Sequence, residues 1–283
     1  MKNIIVDLQK EYGLQGGTLE CICADFPWDR REQAPTWKRP ALIVVPGGGY
    51  GMVSKREAEP VAFEFFARGF QTFILTYLVG GENGVSYPEQ LFELAASVDY
   101  VKKHAEEFNV NPDEVFAVGF SAGGHLTANL AVEHQNVSEK FGKTLDCKPT
   151  AVGLSYPVIS YVDGHRGSYE NLLYGYTDEA RAELLKTLCL ENAVSEHTPP
   201  AFIWTTAKDT AVPPSNALRY ALALNEKEID YELHVYPRLN HGASTASLEI
   251  NPVSEETQRE LRRVSRWIDD CAEFFRMYIQ EKY

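Results

Sequence analysis

The chain has 283 residues, and 27 basic against 40 acidic side chains give a formal charge of 27 − 40 = −13. An acidic surface repels phosphate, which makes nucleic acid and anionic membrane poor partners while leaving a local basic site for an acidic substrate open. With 44% apolar and 24% charged residues the composition excludes disordered and fibrous classes, and the length fits one large α/β domain or two ordinary ones.

The first ten residues, MKNIIVDLQK, have neither the apolar core nor the small-residue cleavage site of a secretory signal. No apolar run approaches the roughly 18 residues that span a bilayer. Five cysteines (Cys21, Cys23, Cys147, Cys189 and Cys271) are an odd and low count for this length, which predicts reduced thiols and a cytoplasmic protein. Cys21 and Cys23 share a face if residues 18–23 form a strand, here expected at a sheet edge. Short apolar, β-branched runs at 41–45, 72–77, 115–119, 151–155, 201–206 and 231–236 read as buried strands. Helical spacing of apolar residues falls between and after them, at 56–68, 89–108, 122–134, 214–226 and 255–281. This alternation predicts one doubly wound, mostly parallel sheet of about eight strands with helices on both faces. Such sheets bind ligands at the carboxyl ends of their strands. Residues 156–198 interrupt the alternation with a tyrosine-rich excursion, read as a lid-like insertion or as surface elaboration packed on the body.

Gly119-Phe120-Ser121-Ala122-Gly123 lies between a strand and a helix, the context a G-x-S-x-G nucleophile elbow requires. The tight turn lifts the Ser121 hydroxyl above the sheet, and the helix N-terminus points its positive dipole at it. Pro46-Gly47-Gly48-Gly49-Tyr50 directly follows another strand, where successive glycines bring backbone N–H groups close to a developing oxyanion. It lacks the spacing of a phosphate or dinucleotide loop.

A serine nucleophile needs a base, and the base an orienting carboxylate. His241, in a loop just after strand 231–236, is the best placed of seven histidines. His125 falls on the elbow helix, His234 inside a strand, His104 and His134 on helices, and His165 and His197 in or near the excursion. Asp209, at the end of strand 201–206, is the favoured acid over Asp163 and Asp230, and its other reading is a helix cap. The chain order is Ser121, Asp209, His241, the order of the nucleophile-elbow hydrolases. No metal-binding spacing occurs, and no cofactor is expected.

PGGGY, GFSAGGH, KDTAVPP and the NHG loop, in this order, resemble the α/β-hydrolase family, and within it the carbohydrate-esterase branch of acetyl-xylan-esterase-like and BD-FAE-type proteins. The resemblance covers roughly residues 35–275 and implies a single α/β-hydrolase domain over 1–283. It implies Ser121 as nucleophile, His241 as base, Asp209 as orienter, and Gly48, Gly49 and Ala122 as oxyanion donors. The implied substrate is a small-molecule or oligosaccharide ester, above all acetylated xylooligosaccharides. Feruloyl esterase, aryl-formamidase and short-chain lipase are alternatives on the same triad. Many relatives begin the oxyanion loop with His where this chain has Pro46. Tyr50, Tyr156 and Tyr161 are the expected substrate-binding aromatics.

Overall fold

In the computed structural model of the chain, residues 2–25, 38–82, 84–251 and 254–280 are described. They begin with β1 (Lys2–Asp7), a short helix α1 (Leu8–Tyr12) and β2 (Thr18–Cys23). There follow β3 (Arg39–Val45), α2 (Glu59–Ala67), β4 (Gln71–Thr76), α3 (Glu89–Lys103), the one-turn α4 (Ala105–Phe108), β5 (Val110–Phe120) and the long α5 (Ala122–Phe141). Next come β6 (Val152–Ser155), α6 (Arg166–Leu172), α7 (Asp178–Thr187), β7 (Ala201–Thr206), α8 (Ser215–Glu226) and β8 (Tyr231–Tyr236). Helices α9 (Glu255–Val264) and α10 (Trp267–Arg276) complete the described elements.

The strands form an eight-stranded sheet in the order β1-β2-β4-β3-β5-β6-β7-β8. The pairings β1–β2 and β2–β4 are antiparallel, and every pairing from β4 through β8 is parallel. This is the α/β-hydrolase architecture expected from the sequence. The two-residue period of a strand explains the layering. Ala41, Ile43 and Val45 of β3 and Val115 and Ala117 of β5 face the layer of α3 and α5. Leu42, Val44, Phe116, Val118 and Phe120 face the opposite layer, with Val61 and Phe65 of α2 and Trp267 and Phe275 of α10. Each fully buried large side chain contributes roughly 1.5–3 kcal/mol, so strands apolar on both faces hold only where helices cover both.

Three expectations need correction. β2 is not an edge strand, because β1 covers it. The helix expected over 89–108 divides at His104, and the one expected over 255–281 is two helices that break after Val264; residue 281 itself lies outside the described residues. All five cysteines are free and buried, and Cys21 and Cys23 do share a face, against the α3 layer. No helix among the described residues is long and apolar enough to cross a membrane.

Candidate active site

Ser121 sits between β5 and α5 with φ 52° and ψ −114°, a conformation an L-residue holds only where its surroundings impose it. Those surroundings leave no room for side chains. A Cβ on Gly119 would lie 2.2 Å from the Gly123 carbonyl oxygen, and one on Gly123 would lie 2.1 Å from that of Val45. Strand and helix therefore meet backbone to backbone, and the serine is the residue pushed outward.

The structure brings Ser121, His241 and Asp209 together. Ser121 Oγ is 2.8 Å from His241 Nε2, and His241 Nδ1 is 2.6 Å from Asp209 Oδ2. An ionised carboxylate only accepts, so Nδ1 carries the proton and Nε2 is left to accept from the Ser121 hydroxyl. Asp209 is buried, and its second oxygen accepts the backbone N–H groups of Ala211 and Val212 at 3.0 and 2.8 Å. These two bonds close a turn in the loop before α8, whose N-cap is Pro214 with no side-chain cap bond, so Asp209 orients the imidazole and does not cap that helix. Asn240 Oδ1 accepts from the N–H groups of Thr210 and His241, at 3.0 and 2.9 Å, and so ties the loop of Asp209 to the loop of His241.

The glycine loop runs beside this row. Gly48 (φ 124°) turns so tightly that a Cβ would lie 2.1 Å from the Met52 carbonyl oxygen, and the Gly48 carbonyl accepts from both Gly51 and Met52. Asn171 Nδ2, from α6 in the excursion, donates to the Gly49 carbonyl at 2.9 Å. The ring of His165 and the hydroxyl of Ser168 come within 3.8 and 3.7 Å of where a Gly49 Cβ would stand. The excursion is therefore fastened to the glycine loop.

Tyr50 and Tyr156 do not stand free as a substrate wall. Each is 1% exposed, and each hydroxyl is used inside the protein. Tyr50 is 2.9 Å from His125 Nδ1, and Tyr156 donates to Glu57 Oε1 at 2.6 Å. Burial pushes both phenols well above their ordinary pKa. The Tyr156 ring packs edge-on to His241 at 4.8 Å. Tyr161, half-buried, packs edge-on to Tyr169. Among the remaining candidates, Asp163 pairs with Arg219, Asp230 accepts from Tyr278, and His234 pairs with Glu232 within β8.

Glu57, in the 3-10 turn Lys55–Glu57, belongs to the site and was missed. It accepts the Gly47 N–H at 2.9 Å while holding Tyr156, whose oxygen in turn accepts the Ser244 N–H at 3.0 Å. Its charge, amid the polar run KREAE, reads as a solvated helix start. Among the described residues no group of three or more His, Cys, Asp or Glu side chains could hold a metal ion.

The family model described as BD-FAE matches residues 31–224. Over 219 residues the chain is 37% identical to endo-1,4-beta-xylanase B of Butyrivibrio fibrisolvens, an alignment covering 75% of this chain and 34% of that protein. Over 212 residues it is 32% identical to the acetylxylan esterase of Xylanibacter ruminicola, covering 71% and 40%. The matched segment thus spans less than half the length of each of these two relatives. An acetyl ester-xyloside bifunctional hydrolase from Caldicellulosiruptor lactoaceticus matches with a TM-score of 0.78 at 29% identity, over 97% of this chain and 96% of that one. The carboxylesterase Cest-2923 of Lactobacillus plantarum shares the fold with a TM-score of 0.82 at 24% identity over 98% of both chains. With more than half its length matched by that family and its fold shared with such neighbours, the chain belongs to the BD-FAE family, an α/β-hydrolase group akin to carbohydrate esterases.

Proposed function

We propose that the chain is a serine esterase that hydrolyses short-chain acyl esters, and that its substrates are acetyl groups on xylose-containing oligosaccharides. The observation that carries this reading is the unbroken row Ser121–His241–Asp209, at 2.8 and 2.6 Å, on a serine held in a positive-φ turn. Ser121 Oγ attacks the ester carbonyl as His241 Nε2 takes its proton. Asp209 keeps the imidazole in the required tautomer and stabilises the imidazolium. The tetrahedral oxyanion is met by the N–H groups of Gly48, Gly49 and Ala122, with the α5 N-terminus adding its dipole. As the intermediate collapses, His241 returns the proton to the departing sugar oxygen and the acyl group stays on Ser121. Water, deprotonated by His241, then attacks the acyl-enzyme and releases acetate.

The sugar comes from two relatives, one named for acetylxylan and one for an acetyl ester and a xyloside. The short acyl limit is supported by the excursion clamped over Gly49 through Asn171, His165 and Ser168. Chains longer than the site holds overpack it, at about 1–3 kcal/mol, or roughly a five- to 150-fold loss. The test is acetate release from acetylated xylooligosaccharides beside p-nitrophenyl acetate, butyrate and octanoate, a feruloyl ester and N-formylkynurenine. We expect kcat/KM to fall from acetyl to butyryl to octanoyl. A flat or rising series favours a lipase, and preference for the feruloyl or formyl substrate favours those alternatives.

A further inference from the structure

We propose that Glu57 is a positioning residue for the ester hydrolysis proposed above, locking the glycine loop and the His241 loop into one frame through a single buried carboxylate. The inference rests on that reading of the site. Glu57 is 5% exposed, and no cation lies within ion-pair distance of it among the described residues. Burying a carboxylate without a cation is costly unless strong donors converge on it. Here two do, from different loops. Oε2 takes the N–H of Gly47, the residue before the proposed oxyanion donors, and Oε1 takes the hydroxyl of Tyr156, which follows β6.

Both arms end at the reacting groups. A Cβ on Gly47 would lie 2.8 Å from Glu57 Oε2 and 3.0 Å from Ser121 Cβ, so Gly47 is packed between the carboxylate and the nucleophile. On the other arm the Tyr156 ring lies edge-on to His241, and its oxygen accepts from Ser244 in the same loop as His241. The residue before Glu57 strengthens that arm: the Arg56 carbonyl accepts from Ser244 Oγ at 2.5 Å, and its guanidinium donates to the Gly242 carbonyl at 3.0 Å. One 3-10 turn thereby sets the distance between oxyanion loop and base loop. A group needed only to fill space would not require two acceptor oxygens aimed in two directions.

Glu57→Gln keeps the shape but has one acceptor oxygen, so either the Gly47 N–H or the Tyr156 O–H loses its acceptor. Tyr156→Phe removes the same link from the other end and carries the test if Glu57→Gln does not fold. Each variant is assayed on p-nitrophenyl acetate per mole of folded protein, with thermal unfolding measured alongside. We expect kcat to fall about ten- to a hundredfold with KM within about threefold, since misplacement by about 1 Å can cost a hundredfold. The double variant should be no slower than the slower single one, because both break one linkage. Three results overturn the role while leaving the serine reading intact, provided Ser121→Ala is inactive. These are kcat within twofold of wild type, a loss confined to melting temperature, or losses that multiply in the double variant. Full activity in Ser121→Ala brings down the serine reading and this role with it.

Discussion

The Tyr50 hydroxyl donates to His125 Nδ1 at 2.9 Å, joining the residue after the glycine loop to the helix that Ser121 opens. The direction follows from the other ring nitrogen: His125 Nε2 lies 3.2 Å from the Leu188 carbonyl and must donate to it, so Nδ1 accepts. Burial holds His125 neutral, with its pKa pushed down to about 4. The unfolded chain, near 6.5, binds more protons between those values, so this histidine's contribution is full above about pH 6.5 and is lost as pH falls toward 4. Urea denaturation of His125→Asn beside wild type should therefore show a stability difference that grows from about pH 4 to 6.5 and is level above it. A difference independent of pH would mean that His125 takes up its proton in the folded protein at the same pH as in the unfolded chain, so that burial does not lower its pKa.

Glu93 on α3 should show the opposite sign. Its side chain is fully buried, one oxygen accepts the Leu78 N–H at 2.9 Å, and the other has no partner among the described residues. Desolvation pushes its pKa up to about 8. The folded state then binds the extra proton between about pH 4.5 and 8, so the penalty is absent below 4.5 and grows as pH rises through that window. Glu93→Gln should be more stable than wild type by up to a few kcal/mol at pH 8, at about 1.4 kcal/mol per unit, with the gain vanishing near pH 4.5. Equal stability at pH 8 would contradict this.

Ser121→Ala and His241→Ala should each lower kcat on p-nitrophenyl acetate by on the order of a million-fold while leaving the melting temperature nearly unchanged. Asp209→Asn should cost on the order of ten-thousand-fold, because an amide can hold the imidazole in the wrong tautomer. If Asp209→Asn were silent while Asp163→Asn were inactive, the acid would be misassigned.

Gly48→Ala should damage turnover more than stability. The new methyl would stand 2.1 Å from the Met52 carbonyl oxygen at a φ of 124°, so the loop must shift and carry its N–H groups with it. Losing one oxyanion donor costs about a hundred- to a thousandfold in kcat, and a loss of that size with modest change in KM is expected. A variant with wild-type kcat would remove Gly48 from the oxyanion role.

The parallel strands were legible because β3 through β7 are apolar on both faces, a pattern that only a doubly covered sheet produces. β1 escaped notice because it offers water one face: Lys2, Ile4 and Val6 turn inward to differing degrees, while Asn3, Ile5 and Asp7 are exposed. The elbow and its partners were visible as glycines and polar residues at strand ends. Tyr50, Tyr156 and Glu57 were not readable in the same way. Their placement depends on contacts 75 to 99 residues away in sequence, with hydroxyls and a carboxylate satisfying one another out of sight of solvent. A tyrosine beside a glycine loop reads as a sugar platform until its hydroxyl is seen to be occupied.

The 120 residues that separate Ser121 from His241 also set a schedule. At about 5–20 residues per second, the elbow is synthesised some 6 to 24 s before the imidazole that meets it. During that interval the nascent chain carries a serine with no base and no closed histidine loop. On the proposed mechanism the hydroxyl meets its base only when β8 has joined the far edge of the sheet and brought its following loop back across Tyr156. The proposed chemistry therefore waits on the last strand of the sheet, long after the elbow itself has been made.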